Sequence, residues 1–540
     1  MDSTIGIIGG TVLAAVIGSF MLDDYFVFRH VEGEPVYAQP DTPLVGHILG
    51  MRDGSGYFDK VGAKLKSGVF TLPIFNFKIY VVMERALFAP IQRAARTISF
   101  NPLIKKANKA FAKLSQKSLD QYDDDTFWHD FRKISVQGMA PGADLDRLNL
   151  ETVQGELRHV QELATQSVSA TEESVSIDLN EWIQHLLSQS ATTGLYGPMN
   201  PFKNPEHEKS FWDFYANATD LFVDFLPSFL VGKARKAQAA NGARYEAYLR
   251  SNGHETASAA IQLRTSFFTD RGLTPRENAW MNLAYDVGIL ANFTPTAFWT
   301  VYNTISRPEL LAGIRDELVA KSAVTRSSKS DDGKATYTLD LARLRTACPL
   351  LLSTFQETQR LITNHAPLRE ILTDTTIKTD DKKASYLFKK GNYLKLPSMP
   401  ILHDRGIWGG DADEFDPHRF LKMKKQDKDA SGDAIVTHAD LPPSAFPVWG
   451  VAPHICPARQ YASTGVLALV ALLAMRFDFE QEGVEGGEWK APEAKGAFAF
   501  VLLPAETVKL SVKAREGWND GDWEVAVGEA GTRMRLAVPG

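Results

Sequence analysis

Cys456 is the residue whose type and surroundings first indicate chemistry, because the 540-residue chain contains only one other cysteine, Cys348. It lies in a loop with several Pro and Gly residues, AFPVWGVAPHICPARQYA (445–462), ahead of the apolar run GVLALVALLAM. Pro457 predicts that a buried helix begins directly after the cysteine. The positive end of a helix dipole favours a thiolate, which is a good soft metal ligand. A buried, inert thiol is the alternative that this segment alone leaves open, and it is the interpretation we favour for Cys348.

A second group of informative residues precedes the cysteine. Glu357 and Arg360 in ETQR stand at i and i+3, so a helix places their side chains on one face. Such a pair alone carries little information, since chance produces many of them in a chain in which 23% of the residues are charged. The segment EFDPHRF (414–420) lies between this pair and the cysteine, and we expect Arg419 to supply a second cation to Glu357.

In this order the motifs E-x-x-R, FDPHRF and W-G-x-x-x-H-x-C-P resemble the cytochrome P450 haem-thiolate superfamily, over essentially the whole chain. The resemblance implies a mainly α fold with small β-sheets. It also implies that Cys456 is the axial ligand of the iron of haem b. Glu357, Arg360 and Arg419 are then the structural triad behind the haem.

The cysteine loop departs from the family's pattern at two positions. Trp449 stands at the usual aromatic position and His454 at the usual basic one, but Ala452 and Ala458 replace glycines. Because Ala resists positive φ, we expect altered backbone turns at these two positions without loss of haem binding.

Further cofactor contacts are implied by the resemblance. The cofactor-binding candidates are Trp449, His454, Arg369 in HAPLREI, and Trp128 and Arg132 in WHDFR. A haem carries two carboxylates, so two or three nearby cations are physically expected. For Trp128 and Arg132 an ordinary surface helix is the alternative.

The stretch DVGILANFTPTAFW (286–299) corresponds, by the same resemblance, to the helix that crosses the distal face of the haem. Most members have an acid followed by a threonine in this helix, and here those positions are Thr294 and Pro295. Pro295 has no N–H, so we expect a kink that leaves the carbonyl of Ala291 free.

Asn292, Pro295 and Thr296 are the catalytic candidates beside Cys456. Asn292 is expected to point its amide into the distal pocket, with a hydrogen bond to a neighbouring helix as a nearly equal alternative. Thr296 is expected to be structural rather than a proton donor. The stretch most resembles the branch that contains cholesterol 7α-hydroxylase, sterol 12α-hydroxylase and prostacyclin synthase, and fungal relatives of that branch.

The elements that must position these residues are mostly helical. Helices are predicted at 278–306, from Pro308 onward and at 341–362, and alternating β-branched residues predict short strands within 69–83 and 386–396. Residues 321–336 are polar and resemble a disordered insert. With no second linker visible, one large catalytic domain is predicted over residues 51–540.

The first thirty residues differ from the rest in hydropathy. Residues 5–22 contain no charge and, as a helix, span roughly 27 Å, close to the thickness of a bilayer core. Because Lys and Arg follow this run but do not precede it, residues 1–30 are predicted to be an uncleaved single-pass anchor in the endoplasmic reticulum membrane, with the body on the cytoplasmic side. A secretory signal peptide is the alternative. Three prolines predict a hinge over residues 31–50.

Composition narrows the classes of function. A net charge of −6 gives no electrostatic footprint for nucleic acid, and two cysteines exclude a disulfide scaffold.

The leading hypothesis is a membrane-anchored monooxygenase that receives electrons from NADPH through a partner NADPH–cytochrome reductase. Its substrate is a small lipophilic molecule of terpenoid, steroid or fatty-acyl type, in fungal secondary metabolism. The alternative is a reductase-independent isomerase or dehydratase acting on a peroxide, like prostacyclin synthase. A non-enzymatic haem- or sterol-binding protein is disfavoured by the intact cysteine loop.

Overall fold

Long helices dominate the fold. The structure is a computed structural model, and it describes residues 18, 31–42, 46–51, 56–74, 77–169, 174–218, 221, 231–327, 334–364, 368–422, 427–428, 434–435, 441, 445–484, 488–496 and 500–536. The predicted membrane anchor, residues 1–30, lies outside the described residues except for position 18. Within the part of the chain that is described, no helix combines the length and the apolar character needed to cross a membrane.

The α-helices are numbered in chain order. They are α1 Gly46–Met51, α2 Gly56–Leu65, α3 Phe88–Arg93, α4 Asn101–Ala112, α5 Gln116–Asp120, α6 Asp125–Gln137, α7 Ala143–Ser169, α8 Leu179–Tyr196, α9 Pro205–Asn217, α10 Gly232–Arg250, α11 Ala259–Asp270, α12 Pro275–Ile305, α13 Pro308–Ala320, α14 Leu341–Ala347, α15 Pro349–Ile362, α16 Met399–Leu402, α17 Arg405–Trp408, α18 Arg419–Lys422 and α19 Arg459–Arg476.

The strands are short and form small sheets. They are β1 Val36–Tyr37, β2 Val69–Ile74, β3 Phe77–Val82, β4 Ile98–Ser99, β5 Val175–Asp178, β6 Val324–Arg326, β7 Ala335–Asp340, β8 Leu368–Ile371, β9 Thr375–Lys378, β10 Ser385–Phe388, β11 Tyr393–Lys395, β12 Asp427–Lys428, β13 Ala434–Ile435, β14 Phe477–Gln481, β15 Ala494–Lys495, β16 Leu503–Pro504, β17 Lys509–Ala514 and β18 Gly521–Ala526. The largest described sheet has the order β1-β2-β3-β11-β8-β4. The predicted mainly α fold with small sheets is confirmed.

The central helix α12 packs against α4, α8, α10, α15 and α19 and is buried along most of its length. A capping box starts it: the Thr274 hydroxyl accepts from the Glu277 N–H at 3.2 Å, and the Glu277 carboxylate accepts from the Thr274 N–H at 3.0 Å. The helix then continues through Pro295 to Ile305. The predicted helix is therefore confirmed, and the proline does not end it.

Three expectations about local structure are corrected. The predicted helical stretch 341–362 is two helices, because Pro349 lacks the N–H that would continue α14. Residues 321–336 are not wholly an insert, since β6 and β7 begin within them and β7 pairs with the distant β18. Part of the predicted hinge, 31–50, belongs to the body, because β1 pairs with β2 and the carboxylate of Glu34 accepts from Lys78 at 2.8 Å.

A buried ionic cluster fastens α15 to the segment that leads towards the cysteine loop. Arg360 Nε and Nη2 each donate to a carboxylate oxygen of Glu357 at 2.8 Å, and Arg419 Nε donates to Glu357 Oε1 at 2.9 Å. Arg360 Nη1 also donates to the carbonyl oxygens of Leu402 and Ala412 at 2.6 Å. Glu357 and Arg360 are fully buried, so these charges are stable only as a complete cluster.

Replacing Arg360 tests this cluster. Arg360→Ala is expected to lower the free energy of unfolding by about 3–5 kcal/mol, because it leaves the Glu357 carboxylate buried with incomplete compensation. Denaturant unfolding followed by circular dichroism measures the loss. Arg405→Ala is the matched control: Arg405 pairs with Asp413 at the surface, with side chains 70% and 57% exposed, and a loss of about 0–1 kcal/mol is expected. Equal losses in both variants would contradict the role given to Arg360.

Candidate active site

A cavity of about 230 Å³ separates the cysteine loop from α12. Its wall includes Cys456 from the loop, Asn292 and Thr296 from α12, and Phe355 and Gln359 from α15. Helix α19, which follows the loop, adds further lining residues. Three helices and one loop thus bring a thiol to the edge of a mostly apolar space.

Backbone hydrogen bonds shape the cysteine loop. The Cys456 N–H donates to the Trp449 carbonyl at 2.8 Å, and the His454 N–H donates to the Val451 carbonyl at 2.9 Å. Gly450 has a φ of 83°, and a Cβ at this position would lie 2.8 Å from the His454 carbonyl oxygen. The loop therefore requires a glycine at residue 450.

The two alanines that replace family glycines cause no strain in this loop. Ala458 has a φ of −82°, and Ala452 is not among the residues with positive φ. Neither position uses the left-handed region, as expected for Ala, and a change of the turns relative to the family's glycines stays a prediction.

The Cys456 thiol differs from expectation in its electrostatics. Helix α19 begins at Arg459 rather than at Pro457, so the cysteine is further from the helix end than predicted. Burial raises the pKa of the Cys456 thiol, although the Ala458 N–H and the charge of Arg459 act in the opposite direction. The protein alone therefore does not favour the thiolate, whereas a metal ion bound to the sulfur would.

Three basic side chains gather at one side of the site, and none of them forms an ion pair with a carboxylate of the described residues. Arg369 on β8 is 2% exposed, and its Nε and Nη1 make no hydrogen bond with described residues. Burial lowers the pKa of Arg369 to about 10. Burial, with the nearby charges of Arg369 and Arg132, lowers the pKa of His454 to about 4. This cluster suits an anionic group that the described protein residues do not supply.

The two predicted tryptophans have different surroundings. Trp449 ends the short 3₁₀ helix Pro447–Trp449 and lines the cavity, and its buried Nε1 has no hydrogen-bond partner among described residues. Trp128 on α6 instead donates its Nε1–H to the Tyr122 carbonyl at 2.7 Å. The structure thus brings Trp449 to the site but does not direct Trp128 towards it, because a local backbone acceptor already satisfies the indole.

The candidates on α12 also separate. Asn292 and Thr296 line the cavity, while Pro295 is buried in the helix and is not among the lining residues. The Thr296 hydroxyl donates to the Asn292 carbonyl at 2.7 Å, so it bonds back to its own helix. Any effect of Pro295 on the site must therefore act through the backbone of α12.

Gln359, Phe293 and Tyr461 line the cavity but were not singled out from the sequence. Gln359 lies inside the ETQR motif, whose E-x-x-R pattern leaves the residue at this position unspecified. The available signal was its spacing from Phe355, because residues at i and i+4 share one face of a helix.

Comparisons with known proteins decide the family. The family model for cytochrome P450 matches residues 291–508. The cytochrome P450 monooxygenase nodJ of Hypoxylon pulicicidum is 31% identical over 512 residues, which covers 94% of this chain and 94% of that protein. The chain is a cytochrome P450. It is accordingly an oxidoreductase that incorporates oxygen, and the predicted enzyme class is confirmed.

Two further comparisons extend this P450 assignment. A cytochrome P450 monooxygenase of Gibberella zeae is 24% identical over 521 residues, or 92% of each chain. The solved structure of the cyanobacterial CYP120A1 with bound retinoic acid has a TM-score of 0.63 at 16% identity and covers 89% of this chain and 99% of that one. The latter likeness concerns the fold alone.

The residues of this P450 fit the haem that the family implies. Cys456 would bind the iron, and Arg369, His454 and Arg132 would face the two carboxylates, which explains why Nε and Nη1 of the buried Arg369 have no hydrogen-bond partner among the described residues. The free Trp449 Nε1–H is a further donor at the same cavity. When bound, a haem with a thiolate ligand supplies activation of molecular oxygen.

Arg369→Gln separates this role from a structural one. Since the Arg369 charge is buried without a carboxylate, the haem-free variant is expected to be at least as stable as the wild type. The loaded variant is expected to lose haem about tenfold faster or more, because a charge-assisted hydrogen bond to the cofactor is gone. Transfer of haem to excess apomyoglobin measures the rate.

Arg476→Gln is the control for this measurement. Arg476 is also buried, and burial also lowers its pKa to about 10, but its Nε donates to Asn519 away from the cavity. This variant is expected to change stability without changing haem loss. Unchanged haem loss in Arg369→Gln would remove Arg369 from cofactor binding.

Proposed function

We propose that this P450 is a membrane-anchored haem-thiolate monooxygenase of fungal secondary metabolism that oxygenates a lipophilic substrate of terpenoid, steroid or fatty-acyl type. The observation that carries the proposal is the Cys456 thiol at the wall of a mostly apolar cavity. The fungal relatives that are named cytochrome P450 monooxygenases support the same activity.

The cavity wall supports a lipophilic substrate. Ile289, Phe293, Phe355, Val466 and Val501 are among its lining residues, and their side chains offer only apolar contact. Transfer of apolar surface from water into such a space is favourable without any directional interaction. Where a bound haem leaves this surface open, these residues would contact the substrate and exclude water.

The proposal includes a source of electrons and a location. NADPH would reduce the protein through a separate NADPH–cytochrome reductase, as in other membrane-bound P450s. The uncharged run at residues 5–22, followed but not preceded by Lys and Arg, supports an anchor in the endoplasmic reticulum bilayer with the catalytic domain on the cytoplasmic side.

The carbon monoxide difference spectrum of the reduced protein tests the central assignment. The wild type is expected to show the Soret band typical of a thiolate ligand, and Cys456→Ser is expected to lose it, because a serine hydroxyl is not a soft anionic ligand. Cys348→Ser is the matched control and keeps the band, since Cys348 is 3% exposed and packs in the hydrophobic core. A thiolate band in Cys456→Ser would overturn the proposal.

The isomerase or dehydratase alternative has one observation in its favour. None of the described lining residues is Asp or Glu, and Thr294 and Pro295 replace the usual acid and threonine of α12. Conversion of a C–H substrate that requires NADPH and reductase supports the monooxygenase. Conversion of a lipid peroxide without either supports the alternative.

Pro295 tests whether the backbone of α12 affects proton supply. Pro295→Thr restores an N–H that can bond to the Ala291 carbonyl. The hydrogen peroxide released per NADPH consumed, measured with reductase, is expected to change several-fold, on the order expected for one hydrogen bond. Pro308→Thr is the control, because a proline at the first position of α13 removes no helical hydrogen bond. Equal peroxide yields in wild type and Pro295→Thr would exclude a role for Pro295.

A further inference from the structure

Residues 527–536 form a clasp segment that follows β18 and lies beyond residue 508, where the match to the family model ends. Two glycines with positive φ turn this segment, Gly528 at 68° and Gly531 at 72°. A Cβ at Gly528 would collide with the carboxylate of Asp340, so the first turn requires glycine. The path of the clasp segment is therefore set by individual contacts, because it contains no helix or strand.

A buried ion pair anchors the middle of the clasp segment. The Gly531 N–H donates to Asp146 Oδ2 at 2.6 Å, and both Nη atoms of Arg345 donate to Asp146 Oδ1 at 3.1 Å. Asp146 on α7 and Arg345 on α14 are both buried. Hydrogen bonds to an ionised group inside a protein are strong, so this contact fixes the segment against two helices.

The last part of the clasp segment bonds to α19. The Met534 N–H donates to Gln460 Oε1 at 2.8 Å, and Gln460 Nε2 donates to the Met534 carbonyl at 2.9 Å. Gln460 is buried, and Met534 and Leu536 belong to the largest hydrophobic cluster of the described residues. The segment thus bonds to both polar atoms of the Gln460 side chain, and its removal would leave a buried amide without these partners.

Gln460 lies in the first turn of α19, directly after the cysteine loop. Its neighbour Arg459 donates through Nη1 to the Cys456 carbonyl at 2.9 Å, and the Thr464 hydroxyl donates to the Gln460 carbonyl at 2.8 Å. Gln460 is not among the described residues that line the cavity, so its bonds to Met534 do not depend on what fills that space. Movement of this turn would, however, move the backbone of Cys456.

We propose that the clasp segment positions the cysteine loop. By bonding to Gln460 it holds the first turn of α19, and it thereby keeps the Cys456 sulfur in place for binding the haem iron. Gln460 is a positioning residue, because it acts through the backbone of α19. This inference rests on the assignment of Cys456 as the iron ligand in the proposed function, and it adds to that site a segment that the family model does not match.

Gln460→Met tests the inference, because methionine keeps the length of the side chain and loses both hydrogen bonds to Met534. In the haem-loaded variant, the thiolate Soret band of the reduced carbon monoxide complex is expected to decay about fivefold faster or more than in the wild type. The decay is followed at a temperature at which circular dichroism shows no unfolding of either protein. A loss of global stability alone therefore does not change this rate.

Gln481→Met is the matched control. Gln481 makes the same reciprocal pair, since it accepts from the Lys490 N–H at 2.8 Å and donates to the Lys490 carbonyl at 3.0 Å. It lies on β14, which follows the opposite end of α19 from the cysteine loop. This variant is expected to keep the wild-type decay. A wild-type decay in Gln460→Met, or an equal acceleration in both variants, overturns the inference.

Deletion of residues 531–540 tests the segment itself. It is expected to accelerate the decay at least as much as Gln460→Met, whereas deletion of residues 537–540 alone leaves the clasp segment intact and keeps the wild-type rate. A folded protein without residues 531–540 that retains the wild-type decay also overturns the inference. If the longer deletion does not fold, Gln460→Met decides alone.

The wild-type spectrum separates this inference from the proposed function. If the thiolate band is absent from the wild type, the proposed function itself fails. If the band is present and Gln460→Met does not accelerate its decay, only the positioning role of the clasp segment fails.

Discussion

The Glu357 carboxylate, shared between the guanidinium groups of Arg360 and Arg419 in the protein interior, is the interaction on which the site depends. A buried carboxylate is tolerated only when charges and hydrogen bonds compensate for the water it has lost. Arg360 also donates to the carbonyls of Leu402, the last residue of α16, and of Ala412 in a turn, so the cluster fixes the end of a short helix and the turn that follows it. The cluster therefore helps to hold in place the segment between α15 and the cysteine loop, whose described helices and strands are all short.

The site combines two electrostatic regions with different requirements. Arg369, Arg132 and His454 form a basic cluster that lacks a carboxylate, which suits an anionic part of a cofactor. Apart from His454, which belongs to this cluster, the described lining residues of the adjacent cavity include no Asp, Glu, Lys or Arg. The basic groups that suit the cofactor's carboxylates therefore lie at one side of the site, and most of the remaining described wall is apolar.

Much of the site could be predicted because its chemistry depends on rare residues in a short loop and on one ion cluster. Cys456 stood out because it is one of two cysteines, and the spacing of Glu357 and Arg360 placed both on one helix face.

The long helix α12 could be predicted from its apolar length, although its start required the Thr274–Glu277 capping box to be recognised. The negative φ of Ala458 follows from the resistance of Ala to positive φ, whereas the hydrogen bonds that close the loop depend on the tertiary structure.

The sequence by itself determined the family, the candidate axial ligand, the charged partners of Glu357 and the mainly helical class, since these follow from residue types at short spacings. Only the tertiary structure decided that the Trp128 indole N–H donates to the Tyr122 carbonyl and that burial raises the pKa of the Cys456 thiol. Likewise, only the tertiary structure decided that β7, which begins within residues 321–336, pairs with β18 near the end of the described chain. It also decided that Gln359 faces the cavity. The physical reason is that burial, desolvation and strand pairing depend on residues far apart in the chain, and no local pattern records them.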